Sequence, residues 1–166
     1  MEKIWTDLKA HFAAHSPQVL TTLNPPIEEA EVVAFEKEFD IRLPEDYRAS
    51  LFIHNGQPIT NYIHFLVTAD SYWLWSLADV HEESAWRVNV AKQPLEMIPF
   101  ARSGGSSRLY LNVTTDSDQY GKIYYFDEFT STFVDSLTFT EFMADQLERM
   151  QSGKTVADGD GWYELS

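Results

Sequence analysis

The sequence predicts an α+β protein, a mostly antiparallel central sheet flanked by about four helices, on three observations. Helical and strand-like segments follow one another as helix, helix, strands, helix, strands, helix, without the regular alternation of a doubly wound parallel sheet. Residues 108–113 alternate like a half-buried strand, and residues 122–126 supply a nearby antiparallel partner, so a meander is the simplest topology. The chain has 166 residues, 44% of them hydrophobic and 14% aromatic, enough for one hydrophobic core and too few for two comfortable ones. Residues 1–151 therefore read as a single domain, and residues 152–166, which lose periodicity, as a loosely ordered C-terminal tail that Trp162 and Tyr163 could dock.

Ile4, Leu8 and Phe12 recur every four residues beside Trp5, which predicts an amphipathic helix over residues 2–14. Proline is tolerated in a first helical turn, and the acids behind Pro25 and Pro26 complement the positive end of a helix dipole, so a second helix should start near Pro26. Val32, Phe35 and Phe39 form its apolar stripe, and Asp40 ends it. Leu43 is pushed toward extended geometry by the following proline, which lets Pro44 open another helix with Glu45 and Asp46 in its first turn. Tyr47 and Leu51 share the buried face of that helix, and Asn55-Gly56 stop it.

Residues 62–68 and 72–75 are rich in aromatic and β-branched side chains and read as strands. Ser76 and Asp79 can cap a helix running to about residue 88. Residues 95–100 are apolar around Pro99, which should confine that strand to an edge or an end. Gly104-Gly105 marks a turn. Thr138 and Glu141 form a capping-box pattern ahead of Phe139, Met143, Leu147 and Met150, the stripe of a last helix.

The segment from Leu23 to Gln57 resembles the signature of the SUKH superfamily, which contains cell-wall-assembly regulators of the yeast Smi/Knr type and many bacterial immunity proteins. The similarity is carried by Pro26, the acids Glu28, Glu29 and Glu31, Phe35-Glu36, Leu43-Pro44, Tyr47-Arg48 and Asn55-Gly56. Trp75-Ser76-Leu77, residues 98–101, Gly121-Lys122-Ile123-Tyr124 and Phe139-Thr140-Glu141-Phe142 resemble later family motifs in the right order. Two departures stand out: Asp40 where the family usually has glycine, and Ser106-Ser107-Arg108 where many members carry acids after paired glycines. The resemblance implies a binding function and no reaction.

Twelve Lys and Arg against 26 Asp and Glu give a formal charge of −14, which repels a phosphate backbone and argues against direct nucleic-acid binding. There is no cysteine for a disulfide or a thiolate site, no signal-peptide core at the start, and no apolar run near the ~20 residues a membrane helix needs. A cytoplasmic protein without membrane contact is expected.

Chemical motifs are weak. His11 and His15 have a metal-compatible spacing, but Phe12 follows His11 where a zinc-protease helix carries glutamate. His81 precedes Glu82 and Glu83, yet adjacent helical residues point apart. Gly153-Lys154-Thr155 lacks the first glycine of a phosphate-binding loop, because Glu148 stands there. Asp116, Asp118, Gly121 and Asp127 match some positions of a calcium loop, although strands flank them where helices are required. No catalytic residue, metal or cofactor is assigned. The expected function is a non-catalytic protein-binding module, and the resemblance implies an immunity protein that occludes a cognate toxin, a nuclease among the possibilities. The partner would be a basic toxin domain. Among Trp73, Trp75 and Trp86, the first two are taken as aromatic anchors; Glu82, Glu83, Asp116, Asp118, Asp127 and Glu128 are taken as the electronegative surface. A regulatory scaffold of the cell-wall-assembly type is the first alternative, and an enzyme or metal-binding protein using His81 or the acidic turn at 116–128 the second.

Overall fold

Helix α1 (Glu2–His15) buries Trp5, Leu8 and Phe12, the side that its sequence periodicity predicts. The structure, a computed structural model, describes residues 1–58, 66–67, 71–103, 107–126, 133–134, 137–153, 155–158 and 161–164. A short helix α2 (Pro17–Leu20), with Ser16 at its N-cap and Pro17 in its first turn, turns the chain back and buries Val19. The Trp5 indole N–H donates to the Ser50 hydroxyl at 2.8 Å, tying α1 to a distant helix.

Helix α3 (Glu29–Phe39) starts three residues later than Pro26. Its N-cap is Glu28, and Glu31 closes a capping box by accepting from the Glu28 N–H at 3.2 Å. The two prolines lie in the approach to the helix, outside it. Asp40 ends α3 in the left-handed region, at φ 52° and ψ 45°. Helix α4 (Glu45–Leu51) follows an extended Pro44, which is the N-cap and not the first helical residue.

Six strands form one antiparallel meander in the order β1 (Leu66–Val67), β2 (Ser71–Leu74), β3 (Met97–Ser103), β4 (Arg108–Asn112), β5 (Ile123–Phe126) and β6 (Phe133–Val134). Together with the helices this makes the fold α+β. Helix α5 (Leu77–Asn89) sits between β2 and β3, and α6 (Phe139–Gln151) follows β6. Both start at the predicted capping boxes, Ser76 with Asp79 and Thr138 with Glu141. The described residues thus hold six helical segments, α2 and α4 being the short ones. Of the strand expected at 62–68, only Leu66–Val67 falls among the described residues, and the Gly104-Gly105 turn lies outside them.

Pro99 corrects one expectation, because β3 is an interior strand. The register slips by one residue between Pro99 and Ala101, while β2 pairs only with 101–103. Pro99 therefore has β4 alone beside it and sits at a bulge, where a missing N–H breaks no ladder. Residues 152–166 also depart from the expected aperiodic tail. They contain a hairpin of β7 (Thr155–Asp158) and β8 (Gly161–Glu164), with β8 beside β1 and β2 and β7 beside α6. β-prone residues on both sides of Asp158-Gly159 are the signal for it.

On one face of the sheet, Phe100 meets Phe139 and Phe142 of α6 at ring-centroid separations of 5.5 and 5.8 Å, and Tyr47 of α4 meets Phe139 at 5.1 Å. These edge-on contacts lock the two helices to the central strand. Leu109 and Leu111 face this core, so Tyr110 between them points to the opposite face. Helix α5 lies there.

Candidate protein-interaction site

Leu77, Val80 and Ser84 are buried and define the inward stripe of α5. Arg87 extends that stripe by one turn. Its guanidinium carbon lies 4.9 Å from the centroid of the Tyr110 ring, and Nη2 donates to the Tyr110 hydroxyl at 2.5 Å. Glu83 is drawn into the same contact, with carboxylate oxygens 3.4 Å from Arg87 Nε and 3.9 Å from Arg108 Nη2. A carboxylate held between two guanidinium groups presents little net charge outward, so Glu83 is corrected from recognition surface to internal ion pair.

Trp86 is two residues beyond Ser84 and hence about 200° around the helix, on the side facing away from the sheet. It is 54% exposed, and Val90, one turn on, is 64% exposed. Glu82, one turn before Trp86, is exposed as well. Ala78, Glu82, Trp86 and Val90 thus form an outward line at intervals of four, an apolar pair with a carboxylate at its near end.

Trp73 and Trp75 lie elsewhere. They are 6% and 5% exposed, Trp73 on β2 at the Arg102 register position and Trp75 within the main core. As placed, neither ring can serve as a surface anchor, because both are buried. Trp86 had to be separated from these two by its helical phase relative to Val80 and Ser84.

Asp116 and Asp118 are exposed in the turn between β4 and β5. Tyr120 fixes this turn to the α3–α4 link by donating its hydroxyl to the Arg42 carbonyl at 3.1 Å. Asp127 and Glu128 lie outside the described residues. His81 contacts Glu38 of α3 at 2.9 Å through Nε2 and stands edge-on to Phe39 with ring centroids 5.3 Å apart. Among the described residues no group of three or more His, Asp or Glu is arranged to hold a metal ion.

Among the described residues, two grooves flank α3. One, of about 440 Å³, is lined by Arg42, Arg48, Glu29, Glu45 and Phe52. Its Arg48 is matched internally, reaching Glu29 at 3.1 Å and Glu36 at 3.5 Å while stacking 5.7 Å over Phe52. The other, of about 280 Å³, runs between α3 and α5 over Ala34, Phe35, Leu77 and Ala78, with Glu31 and Glu38 along the α3 side. It opens onto the outward line of α5 through Ala78.

The model of the SMI1/KNR4 family (SUKH-1) matches residues 26–145, from the approach to α3 into α6. The chain belongs to the SMI1/KNR4 family. Membership supports a non-catalytic immunity or regulatory module in general and implies protein–protein interaction as its mode of action. This SMI1/KNR4 chain is also similar to F-box only protein 3 of Homo sapiens and of Bos taurus, 36% identical over 59 residues in each. That match takes in 36% of the chain and only 12% and 13% of those proteins' own lengths. Among the described residues of this family member, no helix is long and apolar enough to cross a membrane.

Proposed function

We propose that this SMI1/KNR4-family chain is a bacterial immunity module that binds a basic toxin domain, such as a nuclease, and occludes its active cleft. The observation that carries the proposal is the outward line of α5, where Trp86 and Val90 are exposed next to Glu82 in a chain of formal charge −14. Tryptophan is the residue type most enriched among binding hot spots, and a net negative field raises the encounter rate with a cationic partner. A cleft that holds nucleic acid is basic, so an acidic protein complements it. Asp116 and Asp118 add exposed carboxylates in the β4–β5 turn. No bond is made or broken by the chain itself.

The test is capture of the partner from the native cell on the immobilised chain, identification by mass spectrometry, and assay of the partner's activity with and without the chain. A basic protein whose activity stops on binding, and whose capture weakens steeply with salt, is the expected result. A partner that stays fully active in the complex would overturn occlusion.

A regulatory scaffold of the cell-wall-assembly type is the second reading. It is supported by the similarity to a short stretch of much longer proteins, the F-box only protein 3 relatives, in which the related segment is one part among others. A captured partner that is bound without inhibition, in a cell with no toxin gene beside this one, would favour the scaffold.

A further inference from the structure

Resting on the acidic interface proposed above, we infer that the groove between α3 and α5 receives a helical partner segment in which one apolar side chain is flanked by two basic ones. Glu31, Ala34, Phe35 and Glu38 succeed each other at three-, one- and three-residue steps, so they share one side of α3 in the order acid, apolar, apolar, acid. The two carboxylates are seven residues apart, roughly 10 Å along the helix axis. Leu77 and Ala78 form the opposite wall, and the open groove's volume of about 280 Å³ suits one or two side chains.

Both carboxylates are partly engaged and keep capacity for more. Glu31 Oε2 accepts from the Glu28 N–H at 3.2 Å, and Glu38 Oε2 meets His81 Nε2 at 2.9 Å. An ionised carboxylate has about four acceptor positions, so each can take an incoming guanidinium or ammonium as well. A long basic side chain can lay its methylenes on Ala34 or Ala78 while its head reaches the carboxylate. The groove on the other side of α3 lacks this complementarity, because Arg42 and Arg48 occupy it. The acidic groove is also continuous with Glu82 and Trp86 through Ala78, so a segment seated there extends the contact already proposed.

The experiment is a titration of the ¹⁵N-labelled full chain with an alanine-rich helical peptide carrying two arginines seven positions apart and a leucine between them. Amide shifts should concentrate at Ala34, Asn55 and Ala78. Citrulline in place of both arginines should weaken binding at least about tenfold, as should Glu31→Gln or Glu38→Gln, each an exposed site where the amide keeps the local hydrogen bond. Ala34→Arg, which brings a cation into the groove, should abolish binding. Glu148→Gln, an equal charge change on exposed α6, should leave it unchanged. Equal binding of the citrulline peptide, or shifts spread away from the groove, would overturn the inference. If the peptide ignores the groove while Trp86→Ala still weakens capture of the natural partner, the groove fails and the α5 interface stands; if Trp86→Ala changes nothing either, both fail.

Discussion

A β-carbon placed on Gly56 would lie 2.3 Å from the carbonyl oxygen of Trp75, and Gly56 has φ +64°. The Asn-Gly turn after α4 is thus pressed against the backbone at the end of β2. Asn55 Oδ1 accepts the Leu77 N–H of α5 at 2.8 Å, and Asn24 N–H donates to the Gly56 carbonyl at 2.9 Å. One turn clamps α5, β2 and the approach to α3. Gly56→Ala should therefore lower stability by more than the roughly 1–3 kcal/mol of left-handed strain alone, because the clash adds to it. Urea unfolding checks this, and a variant as stable as wild type would refute the close approach.

Gln57 extends the clamp into the core. It is fully buried, donates from Nε2 to the Thr22 hydroxyl at 2.6 Å, and its backbone N–H donates to the Leu74 carbonyl at 2.8 Å. Gln57→Leu leaves buried Thr22 without that donor and should cost about 1–3 kcal/mol. The urea midpoint should fall while the m-value holds.

Asp40 occupies a left-handed position, with φ 52°. Aspartate bears this conformation with more strain than glycine, which offsets glycine's greater entropy loss on folding. Asp40→Gly should raise stability by about 0.5–1 kcal/mol, seen as a small rise in Tm. A fall in Tm would mean that the Asp40 side chain contributes more than its backbone strain costs.

Local signals were legible in the sequence and relational ones were not. Thr138 with Glu141 and Ser76 with Asp79 announced two helices because a capping box is closed within four residues. Pro99 misled because its tolerance depends on where β2 ends, a fact about another strand. The α5 site was half legible. Trp86 falls off the stripe set by Leu77, Val80 and Ser84, which counting alone can find. The Glu83 to Arg87 spacing was equally visible, but the approach of Arg108 from β4 was not. Trp73 and Trp75 were taken for anchors because tryptophan's burial is decided by its neighbours in space.

Acid should act through two histidines. Burial holds the His54 pKa below its ordinary 6.5, Lys9 lowers it further, and the Asn24 carbonyl, 3.0 Å from Nδ1, partly opposes them. His11 is lowered by burial and by His15. The folded state thus favours the neutral rings, and the unfolded chain takes up protons first as pH falls. This contribution is intact above about pH 6.5 and is lost as pH drops from there toward the folded-state values. Urea unfolding at pH 7.5 and 5.5 should show a smaller acid loss in His54→Gln than in wild type; an equal loss would remove His54 from the explanation.

The most direct measurement is the affinity of the captured partner for wild type and Trp86→Ala, each at low and high salt. Trp86 is exposed, so the variant should fold with stability within about 0.5 kcal/mol of wild type. Its affinity should fall by about 2 kcal/mol, roughly thirtyfold, and wild-type affinity should drop steeply as salt rises. A variant that binds as tightly as wild type, with affinity indifferent to salt, would contradict an acidic, tryptophan-anchored interface on α5.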